Sequence, residues 1–232
     1  MNIPLSRRLL ACCAYVHQND FVADIGCDHG YLGIYLLKHG IASAVIESDI
    51  NEMPLQCAKE HAAKFHVQEN ISFILSDGVQ QLPHDFTCLV CAGMGADTII
   101  SILDAAPWLK SDRYHLVLQC QSKRPLLREY LASNGFSIFR ETLVKDGRFI
   151  YTVMDVRCAP KDLPAPWEYF ISPQLIFDAS PLLLPFVRHV NHGIENTLLG
   201  LQRTDPEKYE NMNRTFMHLK ELERSLADDD RK

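Results

Sequence analysis

The sequence predicts an α/β fold, because short apolar segments alternate with amphipathic helical segments over the first 158 residues. Five of these segments are typical of parallel strands, which are buried on both faces and therefore short and continuously apolar. Two more β-rich segments flank an Asp-Gly pair, the strongest short-range signal of a hairpin. Together they predict a seven-stranded sheet that is parallel except for an antiparallel hairpin at its C-terminal end.

The predicted elements follow one another in chain order. Strands are expected at Phe21–Ile25, Ala42–Ile46, Ile71–Leu75, Cys88–Ala92, Phe136–Val144 and Phe149–Val156. A further strand, the fifth in chain order, is expected to be centred on Leu116–Leu118. Helices are expected at Tyr31–His39, Glu52–His66, Asp97–Leu103 and Arg124–Ser133. The hairpin turn is expected within Lys145–Arg148, in a type I′ conformation that requires positive φ.

A change in composition near residue 160 predicts a second domain. Three prolines and Trp167 within residues 160–167 indicate a semi-rigid connector. Ser180-Pro181 is typical of a helix start, and Thr204–Glu207 indicates the end of that helix and the start of another. Apolar residues at four-three spacing predict a seam in each helix: Leu183, Val187, Val190, Ile194 and Leu201, then Tyr209, Met212, Phe216, Leu219 and Leu226. We therefore expect domains 1–158 and 159–232, the second an α-helical coiled-coil hairpin.

Composition limits the class of protein. Of 232 residues, 47% are hydrophobic and 22% charged, which excludes disorder for most of the chain. No apolar stretch approaches the ~18 residues of a membrane span, and the N-terminal one is too short for a secretion signal. Most of the eight cysteines lie in apolar segments, and Cys88-x-x-Cys91 lacks a second ligand pair at the spacing of a zinc site. We expect a cytoplasmic protein without metal or membrane contact.

The first strand is followed by a glycine-containing segment, Asp24-Ile25-Gly26-Cys27-Asp28-His29-Gly30, that opens the first predicted helix. Glycine lets a ligand approach the backbone, and a helix N-terminus offers free N–H groups. Asp28 stands where the dinucleotide fingerprint has its second glycine, and its charge would repel a pyrophosphate. A carboxylate there suits a cationic amino group, such as that of the methionine part of S-adenosylmethionine. The alternative is an ordinary strand-to-helix turn.

Three further strand ends carry groups that suit a nucleoside. Asp49 follows the glycines by about 20 residues, where a carboxylate accepts hydrogen bonds from ribose hydroxyls, and Glu47 is the competing candidate. Asp77-Gly78 follows the third strand, where Asp77 would accept from the adenine amine. Gly93-Met94-Gly95 exposes backbone at the end of the fourth. Each is compatible with an ordinary turn, but jointly they predict a nucleoside-type cofactor site.

These motifs resemble the bacterial tRNA (adenine-22-N1)-methyltransferase family of class I S-adenosylmethionine-dependent enzymes. The similarity covers most of residues 5–157 and is carried by Leu5–Leu9, Asp24–Leu32, Asp49–Asn51, Pro54-Leu55, Asp77-Gly78, Ala92–Gly95 and Leu118-Gln119. The chain departs from the family pattern at Gly33, where Pro is usual, and at Ala96, where Gly is common. The resemblance implies a Rossmann-like methyltransferase sheet, S-adenosylmethionine as cofactor and tRNA as partner.

The implied reaction is methyl transfer to N1 of adenine in the D-arm of tRNA. Adenine N1 carries an in-plane lone pair, so no proton must leave before attack, and in-line positioning supplies most of the rate. The candidate catalytic residues are Asp28, His29 and Tyr31, with Met94 also lining the base pocket. The candidate cofactor-binding residues are Asp24, Gly26, Asp28, His29, Gly30, Asp49, Asp77, Gly78, Gly93, Met94 and Gly95.

The distribution of charge bears on the tRNA partner. The formal charge is −6, which by itself argues against nucleic acid, but residues 123–157 contain seven basic and four acidic residues, a local charge of +3. A-form RNA is recognised largely through shape and phosphate contacts, so a modest basic patch suffices. The candidate RNA contacts are Arg7, Arg8, Lys123, Arg124 and Arg148; the alternative is a solvated basic face.

Two other functions stay open at this stage. One alternative is a methyltransferase that acts on another RNA or on a small molecule. The other is a module that binds the cofactor without catalysis. The sequence leaves the oligomeric state open, with a monomer compatible.

Overall fold

The structure is a computed structural model that describes residues 2–229, and it consists of two compact units that divide between Asp162 and Leu163. The first unit contains a seven-stranded sheet. Its strands are β1 (Asp20–Ile25), β2 (Ala42–Asp49), β3 (Ile71–Leu75), β4 (Cys88–Gly95), β5 (His115–Ser122), β6 (Phe136–Asp146) and β7 (Phe149–Cys158). They lie in the order β3-β2-β1-β4-β5-β7-β6, with β1 to β5 parallel and β7 antiparallel to both β5 and β6. The predicted fold class is confirmed.

Helices cover both faces of the sheet, as a buried parallel sheet requires. They are α1 (Arg7–Cys13), α2 (Tyr31–Lys38), α3 (Glu52–Lys64), α4 (Ala96–Asp104) and α5 (Arg124–Ser133). On one face, valines of the central strands pack with residues of α1, α2 and α3. On the other, alternate strand residues such as Ile25 and Leu118 pack with α4 and α5.

Several elements differ from the sequence-based prediction. β2 and β4 extend further toward their carboxyl ends than predicted, because the residues there still pair with neighbouring strands. Helix α1 was not predicted; its N-cap is Ser6, whose side chain accepts a hydrogen bond from the Leu9 N–H. It buries Cys12 and Cys13 against the sheet.

The hairpin between β6 and β7 is confirmed, but its turn differs from the predicted one. Asp146 pairs with Phe149, so the two central turn residues are Gly147 and Arg148. Only Gly147 has positive φ, +59°. A type I′ turn requires positive φ at both central positions, whereas glycine at the first alone is typical of type II′. Strand β6 also has a register shift between Ile138 and Arg140 in its pairing with β7.

The second unit is helical: α6 (Pro173–Asp178), α7 (Leu183–Thr204) and α8 (Pro206–Asp229). The predicted start of α7 at Ser180-Pro181 is wrong by two residues, although the Ser180 side chain accepts from the Leu182 N–H. The predicted break before α8 is confirmed, and Asp205 caps that helix by accepting from the Lys208 N–H at 3.0 Å.

The buried residues of α7 only partly follow the predicted seam. Leu183, Val187, Val190 and Ile194 are buried as expected, but the seam continues through Leu198, and Leu201 is half-buried. In α8, Leu219 is buried while the other predicted seam residues are half-buried. A buried Asn191 donates to the Leu219 carbonyl and to Glu223. The unit is a helical hairpin, and its coiled-coil character and the domain limits 1–158 and 159–232 stay predictions.

The cysteines and the helices relate to the expectation of a protein without metal or membrane contact. All eight cysteines are free, and Cys88 and Cys91 are buried within β4, where burial raises the pKa of both thiols. In the described part of the chain, no helix is long and apolar enough to cross a membrane.

Candidate cofactor site

The glycine segment after β1 forms a tight loop against β2. The Gly26 and Cys27 N–H groups donate to the Ser48 carbonyl at 2.8 and 3.0 Å. Gly26 and Gly30 have φ of +70° and +68°, a region that favours glycine. A Cβ on Gly26 would lie 2.6 Å from the terminal methyl group of Met94. Two predicted elements, the glycine loop and the end of β4, are therefore in contact at the carboxyl edge of the sheet.

Asp28 and His29 project from this loop into solvent. Their side chains are 75% and 54% exposed, with His29 Nε2 3.7 Å from Asp28 Oδ1. Asp28 has φ of +53°, a strained conformation for a residue other than glycine. Strain of this kind concentrates at ligand-binding sites, and both side chains are accessible to a ligand at the N-terminus of α2.

Tyr31 belongs to an aromatic cluster that includes a residue not predicted for the site. Its ring stacks on His61 of α3 with a centroid distance of 4.5 Å, and its hydroxyl lies 3.2 Å from His61 Nε2. His61 Nδ1 lies 2.9 Å from the His29 carbonyl oxygen. His61 therefore links α3 to the glycine loop. A single histidine on an amphipathic helix gives no sequence signal of this role.

Asp24 and Glu47 form a buried acidic pair where β1 and β2 lie in register. Burial raises the pKa of Asp24 to about 7, against the lowering effects of the adjacent Glu47 side chain and of Arg8. Burial and the Asp24 charge raise the pKa of Glu47 well above its ordinary value. Glu47 therefore strongly favours its protonated form. It lies beside Gly33 of α2, where a Cβ would come within 2.1 Å of Glu47 Oε1.

The two other acidic residues of the predicted site differ in exposure. Asp49 is 9% exposed, and its Oδ1 accepts from the Asn51 N–H at 2.9 Å. Asp77 is exposed, at the turn after β3, and Gly78 beside it has φ of +58°. The Ser76 N–H donates to the Asp49 carbonyl, which joins these two strand ends.

The carboxyl end of β4 contains a β-bulge at Gly93. Strands β4 and β5 pair on both sides of it with a shift in register, and Gly93 has φ of +86°. Its N–H donates to Oε1 of the fully buried Gln119 at 3.0 Å. The same oxygen accepts from Nη1 of Arg8 at 2.7 Å. Gln119 appears in the sequence motif Leu118-Gln119, but the sequence assigns it no role.

The five basic residues considered for RNA contact fall into different surroundings. Arg7, Lys123 and Arg148 are exposed, and Lys123 Nζ forms a 2.8 Å ion pair with Asp97. Arg124 is half-buried at the start of α5. Arg8 is half-buried and its guanidinium is held at the end of β4 by Gln119. Arg8 therefore differs from the exposed basic residues, because its guanidinium lies beside Gly93 at the carboxyl end of β4.

A second charged cluster lies at the amino edge of the sheet, where β1 and β5 begin, on the side opposite to the glycine loop. His115 Nε2 lies 2.7 Å from Asp20 Oδ2, and His115 Nδ1 lies 3.7 Å from Asp155 Oδ1. The ring of His17 stacks on that of His115 at 4.0 Å. Among the described residues, His17, Asp20 and His115 are the one group whose ligand atoms lie close enough to hold a metal ion. The hydrogen bond between Asp20 and His115 already engages two of these atoms.

The carboxyl edge fits a nucleoside-type cofactor with a cationic amino group. At Gly26 and Gly30 a Cβ would lie within 3.0 Å of Met94 and Ala58, so these neighbours pack this close to the loop only because the two positions have no side chain. Asp28 supplies an exposed carboxylate at the loop, and Asp49 and Asp77 follow the next two strands. The arrangement offers acidic acceptors, which match the ribose hydroxyls, the adenine amine and the amino group of an amino acid.

Comparison with known proteins agrees with the class of protein that the sequence resembles, a methyltransferase. A family model described as a methyltransferase domain matches residues 5–154. A candidate tRNA methyltransferase of Mycoplasma genitalium is 35% identical over 159 residues, covering 67% of this chain and 70% of that protein. The tRNA (adenine(22)-N(1))-methyltransferase of Bacillus subtilis is 27% identical over 161 residues, covering 69% and 68%.

A solved structure from Streptococcus pneumoniae superimposes with a TM-score of 0.83 over 94% of this chain and 99% of that chain, at 24% identity. It is described as a candidate tRNA (m1A22) methyltransferase in complex with S-adenosyl-L-methionine. At this identity the likeness shows the fold, and it extends across both units of the chain.

Proposed function

Because this chain belongs to the methyltransferase-domain family whose model matches residues 5–154, we propose that it methylates N1 of adenine 22 in tRNA, using S-adenosylmethionine. The resemblance predicted from the sequence is confirmed by relatives of that name. The predicted cofactor is confirmed by related structures that contain S-adenosylmethionine or S-adenosylhomocysteine. The protein is an enzyme of the class that the sequence predicts.

One observation of the structure supports this function above the others. The glycine loop after β1 and the glycine bulge of β4 touch through Gly26 and Met94 at the carboxyl edge of the sheet. In open α/β sheets, ligands bind in the crevice outside these strand ends. We assign the loop residues Gly26 and Gly30 to the methionine part of the cofactor, with Asp28 facing its amino group.

We assign the other acidic residues to the nucleoside. Asp49 accepts from the ribose hydroxyls, and Asp77 with Gly78 lies near the adenine. Asp24 is buried and holds the base of the loop through its pairing with β2, and Gly93, Met94 and Gly95 border the methyl group.

The residues needed for the reaction are few. S-adenosylmethionine, when bound, supplies an electrophilic methyl group. Adenine N1 attacks with its own lone pair, so the protein must extract the base and align it rather than remove a proton. His29 is exposed beside the loop and next to Tyr31 and His61, so we assign His29 and Tyr31 to base binding. Asp28 then offsets the positive charge that forms on the base.

We propose that exposed basic residues hold the tRNA. Arg7, Lys123 and Arg148 are accessible to phosphates, and Arg124 lies next to Lys123 at the start of α5.

A tRNA substrate and eight free cysteines support a cytoplasmic location. We propose that no metal takes part, because attack by the N1 lone pair needs no metal-activated nucleophile.

Methylation of unmodified tRNA tests the function directly. The protein is incubated with an unmodified tRNA carrying adenine at position 22, and the product nucleosides are mapped by mass spectrometry. N1-methyladenosine at position 22, absent when adenine 22 is replaced by guanine, is the expected result. Label in another RNA position or in a small molecule would contradict the proposal. Cofactor binding without turnover on any tRNA would favour a non-catalytic role.

A further inference from the structure

We propose that Arg8 and Gln119 act as a positioning pair: together they fix the Gly93 bulge and so set where Met94 lies over the cofactor loop. This inference rests on the proposed methyltransferase function, because it concerns the geometry of the segment that borders the transferred methyl group. It gives Arg8 a role different from phosphate contact.

The hydrogen bonds define the orientation of the Gln119 carboxamide. Both neighbours of its Oε1 are donors: the Gly93 N–H at 3.0 Å and Arg8 Nη1 at 2.7 Å. A carboxamide nitrogen at the same place would face two donors with no acceptor. Because Gln119 is fully buried, its side chain cannot exchange these partners for water. Arg8 therefore orients the Gln119 carboxamide, and the carboxamide oxygen holds the Gly93 N–H.

The bulge needs this support because it lacks a partner of its own. The register shift between β4 and β5 removes Gly93 from regular pairing, and its N–H would otherwise be an unsatisfied donor. Bulges next to active sites redirect the following side chain. The following side chain is Met94, whose methyl group lies directly over Gly26. Loosening Gly93 would move Met94 relative to the cofactor loop.

Arg8 is itself held on several sides. Its main-chain N–H lies 3.3 Å from Asp146 Oδ2, and its guanidinium lies 6.0 Å from the ring centroid of Tyr151. Its charge also opposes the rise that burial causes in the pKa of Asp24, so its field reaches the cofactor loop. A side chain with these contacts is poorly placed to follow a mobile phosphate backbone. Arg7, one residue earlier on the same helix, is exposed and is the matched comparison.

Kinetics of four variants test the proposal. Arg8→Met and Gln119→Met should lower kcat by about 10- to 100-fold, the order expected when a reacting geometry is lost, with cofactor Kd changed less than about threefold. Arg8→Lys should recover part of the rate, because an ammonium can still donate to Oε1. Arg7→Met should instead raise the KM for tRNA and reduce its dependence on salt. A rise in KM with unchanged kcat for Arg8→Met, matching Arg7→Met, would overturn the proposal.

Amide exchange at Gly93 provides a readout that does not depend on methylation. By NMR, the Gly93 N–H should be protected in the wild-type protein and exchange at least about tenfold faster in Arg8→Met, where a donor to Oε1 is lost. An unprotected Gly93 amide in the wild type, or equal protection in the variant, would refute the pair. Protection that follows this pattern in a protein without activity on tRNA would support the pair and reject the proposed function. Loss of cofactor binding in Arg8→Met and Gln119→Met, but not in Arg7→Met, would place the pair in cofactor binding and reject positioning.

Discussion

A methyl group added to Gly33 would lie 2.1 Å from Oε1 of Glu47, so the first turn of α2 and the end of β2 are in direct contact. The same methyl group would lie 2.7 Å from Val45. A fully buried carboxyl group therefore occupies the space that a side chain at position 33 would need.

Gly33→Ala should therefore destabilise the protein. Overpacking of a closed site costs about 1–3 kcal/mol, and neither the strand backbone nor the buried Val45 can withdraw easily. Chemical denaturation of the variant measures the loss. Adding Glu47→Ala should restore part of the free energy of unfolding, because it removes the carboxyl group that clashes. Additive effects of the two substitutions would show that the contact is not the cause.

The acidic residue that binds ribose can be identified by comparing two substitutions. Asp49→Asn should raise the Kd for S-adenosylmethionine by about tenfold or more, the order expected for hydrogen bonds that involve a charged group. Glu47→Gln should change the Kd less than about threefold, because Glu47 is fully buried beside Asp24 and its charged form is disfavoured there. Isothermal titration calorimetry gives both values. The reverse order would assign the ribose to Glu47.

The charged cluster at the amino edge makes stability depend on pH. Burial disfavours the charged imidazole of His115, but the carboxylates of Asp155 and Asp20 outweigh burial and raise the pKa of His115 to about 11. The pKa of His115 in the folded protein is therefore higher than its value of about 6.5 in the unfolded chain. The stabilisation from the charged imidazole is complete below about pH 6 and is lost as the pH rises toward 11. His115→Gln should cost more free energy of unfolding at pH 6 than at pH 10. An equal cost at both pH values would contradict the charged state.

A buried ion pair between α5 and β6 should be needed for stability. Arg128 and Glu141 are both buried and their side chains form a direct ion pair. Arg128→Met should cost about 3–5 kcal/mol, because it removes the guanidinium that pairs with the buried Glu141 carboxylate. Arg128→Met with Glu141→Leu should recover most of this loss in a urea titration. If the double variant is as unstable as the single one, packing rather than charge explains the effect.

The salt dependence of methylation should report on the exposed basic residues. Removing one phosphate contact with Arg148→Gln should raise the KM for tRNA and reduce the slope of log(kcat/KM) against log[salt] by about one unit. Lys64→Gln removes the same charge at the end of α3 and should leave the slope unchanged. Equal slopes for wild type, Arg148→Gln and Lys64→Gln would remove Arg148 from the RNA-binding surface.

The sequence predicted the sheet and the cofactor loop better than the contacts that hold them. Strand alternation and glycine spacing are local signals, so β3 and α5 were predicted at their observed limits and the loop was found at Asp24–Gly30. Helix α1 was missed because its seven residues are too short to show a period. The contacts of Arg8 with Gln119, and of Tyr31 with His61, join residues 111 and 30 positions apart. Such pairs depend on tertiary packing, which periodicity does not encode.

The register shift in β6 also affects how the folded protein behaves at high concentration. Strand β6 is an edge strand of the sheet, and edge strands offer free backbone groups to a second chain. The shift lies at Phe139, whose ring is approached by the Arg157 guanidinium at 5.2 Å and the Lys161 ammonium at 5.0 Å. A bulge and two cations together make this edge a poor template for intermolecular strand pairing, and so protect the sheet from aggregation.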